Sequence, residues 1–194
     1  MVGQSKSLRI ACRQGFRKLL EKAGLAGRMP RIVACGRRQD ALDDFGRALL
    51  TGDSHPVLLV DAEAPVTAIS RPWEHLQARD GWVRPAGATD EQGHLMVQAM
   101  ESWFLADRPA LAAFYGQHYR EGALPDNPDV ESVAKAGVLH GLEQATRDTR
   151  KGRYAKGALS YDVLGRLDPA RLEAAAPAAK RLFATLRRLV GVAG

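Results

Sequence analysis

Two short apolar runs, RIVAC at residues 31–35 and VLLVD at 57–61, each follow a stretch of helical periodicity across a short turn. That order constrains the fold more than any other feature of the chain. Helix, strand, helix, strand with short joints is the pattern of parallel strands carried over by crossover helices, since a tight hairpin cannot join parallel strands. The first helix is read over residues 5–23. Leu8, Cys12, Phe16, Leu19, Leu20 and Ala23 recur there at three- and four-residue spacing, and Gly24 stops the run. A second helix is read from GRRQDALDDFGRALLTG, ending near Gly52.

Further along, residues 65–93 are rich in turn formers, with a short helix at WEHLQAR. HLMVQ at 94–98 reads as a strand and AMESWFLADRPALAAFYG at 99–116 as a helix. The prolines of LPDNPD at 124–129 mark a loop, after which helices are expected over about 129–147 and about 168–190. The expected architecture is α/β, one domain over residues 1–194 with a small, mostly parallel sheet flanked by helices and a mostly helical C-terminal part over 129–194.

Composition removes several function classes. With 45% hydrophobic and 26% charged residues the chain carries enough apolar surface for a core. No apolar run approaches the ~20 residues of a membrane span, so no membrane partner is expected. The opening MVGQSKSLRIACRQGF scatters charge where a signal peptide needs an unbroken apolar segment, so the expected location is cytoplasmic. Cys12 and Cys35 are too few and too far apart for a disulfide framework or a zinc ribbon. His55, His75, His94, His118 and His140 form no HExxH pattern, which excludes the zinc hydrolases that use it. GQSKS lacks the first glycine and the preceding strand of a phosphate loop, and no GxSxG elbow occurs.

Candidate functional residues lie where strands end and where charge concentrates. Residues two apart on a strand share a side, with α-carbons about 6.6 Å apart, so Asp61 and Glu63 can point together. Ligands of parallel sheets gather at the carboxyl ends of strands, and paired carboxylates there suit Mg²⁺ or Mn²⁺. The alternative is a helix cap or turn. The formal charge of +6 admits a polyanionic partner. Arg9, Arg13 and Arg17 step by four along one stripe, and RDTRKGRYAKG at 147–157 sets Arg150, Lys151, Arg153 and Lys156 around Tyr154, an arrangement suited to phosphates or single strands. Arg37 and Arg38 stand where a strand hands over to a helix, a position suited to anions. For each of these basic groups a solvated surface is the alternative. Glu101 reads either as a third carboxylate near the pair or as a first-turn helix residue, Asp107 as a cap, and Lys156 as a phosphate contact or a surface lysine.

The segments RMPRIVACGRR, LLVDAEAP, HLMVQAMESWFLAD and KGRYAKG resemble the bacterial domain-of-unknown-function family 4276 over nearly the whole chain. The resemblance implies a Toprim-like three-layer fold, as in topoisomerases, primases and nucleases of the overcoming-lysogenization-defect type. It also implies metal-dependent phosphodiester chemistry, in which a glutamate after the first strand joins a D-x-D or D-x-E pair after a later one. Asp61 and Glu63 match that pair, Glu101 and Asp107 match an E-x-x-x-x-x-D segment, and Lys156 matches a Y-x-K segment. The expected metal set is Asp61, Glu63 and Glu101 around Mg²⁺ or Mn²⁺, with Lys156 completing the catalytic group. Nucleic acid is expected against Arg37, Arg38, Arg150, Lys151, Arg153 and Tyr154. Relatives encoded beside ATPases in anti-phage systems imply a nuclease or nuclease-derived defence component, with such an ATPase as a second partner. One departure stands out. Family members open with a strand and a glutamate-glycine turn before the first helix, whereas this sequence begins MVGQSKSLR, and Gly3, Gln4 and Ser5 cannot replace a carboxylate. Two explanations stay open: the reading frame begins further upstream, or the chain has lost that strand and its glutamate. The expectation covers both an Mg²⁺-dependent nuclease and a nuclease-derived component without activity. The rival is a non-catalytic module that binds nucleic acid or an ATPase.

Overall fold

The computed structural model describes residues 6–52 and 54–191. Gly3, Gln4 and Ser5, weighed above as stand-ins for the family's glutamate, lie outside the described residues. Helix α1, Lys6–Leu20, leaves through a single π turn, Glu21–Leu25, in which Gly24 takes φ +93°, a conformation that favours a residue without Cβ. Gly15 lets α1 meet helix α6, Ala158–Leu164, at backbone distance: a Cβ there would stand 2.5 Å from the carbonyl oxygen of Tyr161. Helix α2, Arg38–Thr51, ends on Gly52 in the left-handed conformation, as its sequence suggests.

Strand β1, Leu58–Asp61, pairs in parallel with β2, Gly93–Met96, placing Leu58 opposite Gly93 and Asp61 opposite Met96. Helix α3, Pro72–Asp80, lies between them in sequence. The molecule is mixed α/β and rich in helix, with eight α-helices and a two-stranded sheet among the described residues. RIVAC does not join the sheet. Residues 31–35 form neither helix nor strand and pair with no strand among the described residues, and Val33 is 56% exposed. Apolar β-branched residues favour an extended chain, whereas a strand also needs a neighbour to complete its ladder.

The helix expected over 99–116 is two elements. Residues Met100–Asp107 form a 3₁₀ segment with every residue but Ala106 buried, and α4, Arg108–Tyr115, follows. Pro109 in the first turn of α4 and the Asp107 carboxylate, which accepts from the Ala110 N–H at 3.2 Å, define the new start. The two C-terminal helices expected become four: α5, Lys135–Thr146; α6; α7, Pro169–Ala175; and α8, Pro177–Leu189. Pro177 divides α7 from α8 because its ring and missing N–H cannot continue a helix.

The larger core gathers Leu19, Trp103, Phe104, Leu142, Leu164 and Phe183, so the helices beyond residue 129 share it with α1 and the 3₁₀ segment. A smaller core of Phe45, Val60, Trp73, Leu76 and Leu95 joins the sheet to α2 and α3. Among the described residues no helix is long and apolar enough to cross a membrane.

Candidate active site

Alternation along β1 buries Leu58 and Val60 and brings Asp61 to the carboxyl end of the strand. One oxygen of Asp61, Oδ1, accepts from the Met100 N–H at 2.8 Å, which ties the strand end to the start of the 3₁₀ segment. Beyond Asp61 the chain turns. Ala62 N–H donates to the Met96 carbonyl at 2.9 Å, Glu63 N–H to the Gln98 carbonyl at 2.7 Å, and Glu63 takes φ +63°. The strand therefore stops before Glu63, and strand alternation does not set the relation of the two acids. Glu63 instead pairs with the Lys135 ammonium at the start of α5. Gln98 steadies that corner, its side-chain oxygen accepting from the Lys135 N–H at 3.2 Å.

Glu101 is 2% exposed. The Tyr154 hydroxyl donates to its Oε1 at 2.8 Å, and Lys156 Nζ lies 3.0 Å from Oε2. That ammonium is near enough to pair by charge but is not aligned as a hydrogen bond, so Oε2 is a buried acceptor without a hydrogen-bond donor. Tyr154 is held in turn: its hydroxyl shares a 2.8 Å hydrogen bond with Ser160 Oγ, its N–H donates to Thr146 Oγ1 at 2.7 Å, and its ring meets Phe104 edge-on. Burial and the Glu101 charge push the Tyr154 phenol up, so it stays a donor.

Burial pushes Asp61 up to about 6, with the nearby charges of Glu101 and Glu63 adding to the rise while Lys156 and the Met100 N–H oppose it. Asp61, Glu63, Glu101 and Lys156 thus act on one another electrostatically although they come from three separate parts of the chain. A donor set made of carboxylate oxygens is the chemistry of Mg²⁺ and Mn²⁺, and the buried Oε2 of Glu101 fits a cation. Among the described residues, however, no three His, Cys, Asp or Glu side chains are arranged to hold a metal ion. Lys135 takes up Glu63 and Lys156 stands against Glu101, so a cation shared by Asp61 and Glu101 would have to take the place of the Lys156 ammonium.

Asp107 belongs to the scaffold. Its two oxygens accept from backbone, Oδ1 from Ala110 N–H and Oδ2 from Asp168 N–H at 2.8 Å, with Arg171 Nε 3.7 Å away. Arg37 is exposed and pairs with Asp40 at the start of α2. Arg38 makes a two-pronged pair with Asp80, 2.8 Å on each arm, and its guanidinium lies 4.7 Å from the centre of the Trp82 ring, so intramolecular contacts occupy it. Arg150, Lys151 and Arg153 stand exposed on the loop between α5 and α6, with Lys151 over the Phe114 ring. Tyr154, read from sequence as a surface aromatic among them, is 3% exposed and cannot stack on a base; it orients Glu101 instead. Sequence reasoning missed that role, and it missed Lys135 and Gln98 altogether. Lys135 and Glu63 are 72 residues apart, and no spacing rule links them.

A family model described as a domain of unknown function, DUF4276, matches residues 5–187. The chain belongs to the DUF4276 family. Asp61, Glu63, Glu101, Lys135, Tyr154 and Lys156 all fall inside the family region. No curated protein and no solved structure matches the chain.

Proposed function

We propose that this DUF4276 protein is a Toprim-like, cation-dependent phosphodiesterase, a nuclease or nuclease-derived component of an anti-phage system, with Asp61 and Glu101 as the ligands of Mg²⁺ or Mn²⁺. The observation that carries the reading is the convergence of Asp61 and Glu101, with Lys156 beside them, at the carboxyl ends of two parallel strands. When bound, the cation supplies charge neutralisation at the phosphate and an activated water. The chain supplies the rest. Met100 N–H fixes Asp61, Tyr154 fixes Glu101, and Lys156 exchanges its carboxylate for a phosphate oxygen, while Arg150, Lys151 and Arg153 hold the strand.

The test is cleavage of plasmid DNA and single-stranded RNA in Mg²⁺ or Mn²⁺, read together with the effect of each cation on the melting temperature. The parent should cut, and Asp61→Asn or Glu101→Gln should reduce the rate by about a hundredfold or more. Neither cleavage nor a cation-dependent melting shift in the parent would refute the reading. One observation favours a second reading, a non-catalytic module that binds nucleic acid or an ATPase: Lys135 and Lys156 already neutralise two of the three carboxylates. That module predicts that Asp61→Ala leaves both nucleic-acid binding and phage protection unchanged.

A further inference from the structure

A second concentration of positive charge lies in a cleft of about 430 Å³ formed by α1, the segment 31–35 and α2. Arg9 and Arg13 line it from α1, Arg31, Val33 and Cys35 from the segment 31–35, and Asp44 from α2. The stripe of arginines read along α1 is divided here. Arg17 pairs with Glu21 at 2.9 Å and does not line the cleft, whereas Arg9, Arg13 and Arg31 make no ion pair among the described residues. The acid in the lining is already engaged: the neighbouring Cys35 thiol and the Arg47 guanidinium paired with it hold the Asp44 carboxyl below the usual range. Burial and that same carboxylate push the Cys35 thiol up to about 12, so no thiolate offsets the arginines.

Two carboxylates act here, Asp44 in the lining and Asp40 near Arg9, and each is already paired, with Arg47 and Arg37. Three guanidiniums therefore leave an excess of positive charge that suits an anion, and the planar fork of arginine matches phosphate oxygens two at a time. The geometry further suits a chain of phosphates over a single one. Arg9 and Arg13 are separated by about 6 Å along the helix axis, which lets each take a different phosphate. Val33, 56% exposed on the opposite wall, offers an apolar contact to a sugar or base.

We propose that this cleft binds consecutive backbone phosphates of a single nucleic-acid strand, at a site separate from the carboxylate cluster. The inference rests on the nucleic-acid reading above for its choice of ligand. The experiment measures anisotropy of a labelled single-stranded oligonucleotide with the full chain across a salt series, alongside cleavage in the same samples. Exchanging Arg9 and Arg13 together for Ala should weaken binding about tenfold and lower the slope of log affinity against log salt by about 1.4, two phosphate contacts at ~0.7 each. Arg31→Ala should weaken it further, and Arg17→Ala should leave it unchanged. Unaltered affinity and slope in the Arg9, Arg13 double variant, with its melting temperature intact, would overturn the proposal. So would ATP or inorganic phosphate binding there while the oligonucleotide does not. The two ideas separate cleanly. Cleavage with arginine-independent binding defeats the cleft alone, and arginine-dependent binding without cleavage defeats the catalytic reading alone.

Discussion

The two ends of the 3₁₀ segment Met100–Asp107 carry the same chemistry to opposite purposes. Glu101 and Asp107 are both buried carboxylates, 2% and 4% exposed, in one continuous run of apolar neighbours. Asp107 spends its oxygens on the N–H groups of Ala110 and Asp168, so it stitches α4 and the approach to α7 into the fold. Glu101 accepts no backbone N–H bond among the described residues and is held by a phenol and an ammonium. A carboxylate bound by backbone cannot be released without moving the backbone. One bound by side chains can exchange them for a ligand at the cost of a rotamer change.

The widest gap should appear on truncating Asp107. Asp107→Ala strands two backbone donors and should cost about 2–4 kcal/mol, a fall of roughly 5–15 °C in a thermal melt. Glu101→Gln retains an acceptor for Tyr154 and leaves the half-exposed Lys156 free to turn to solvent, so it should cost about 1–2 kcal/mol, while removing any cation-dependent shift. Equal losses for the two would erase the distinction.

Asp61 sharpens the same comparison through pH. Because burial holds its proton more tightly in the folded chain than in the unfolded one, stability falls as pH rises from about 4 to about 6 and stays reduced above that. Asp61→Asn keeps an acceptor for Met100 N–H and loses the charge. It should therefore exceed the parent by about 1–3 kcal/mol above pH 6 and match it below pH 4, as read by urea unfolding across pH. A parent no less stable than the variant at pH 8 would show that the Asp61 charge is compensated in the fold.

The smallest effect is expected at Tyr154. Tyr154→Phe removes one hydrogen bond to Glu101 and should cost about 1 kcal/mol while weakening Mg²⁺ binding several-fold in calorimetry. Unchanged affinity would mean that the phenol does not orient the ligand.

Much of this architecture was legible in local sequence. Gly24 and Gly52 mark helix ends in the chain and in the structure, and the apolar runs at 57–61 and 94–98 become the paired strands. The acid at the end of the first run is where the expected site lies. The rest required contacts between distant residues. RIVAC has the composition of a strand but not the neighbour, and Pro177 divides a stretch whose alanine-rich periodicity continues across it.

Taken alone, the sequence determined where the backbone bends and which residues seek a core, because turn chemistry and apolar periodicity act over a few residues. Only the tertiary structure decided the partner of each charge: Lys135 for Glu63, Tyr154 and Lys156 for Glu101, backbone for Asp107. The reason is physical. Charge pairing depends on distance in space and on exclusion of water, and neither can be read from spacing along the chain.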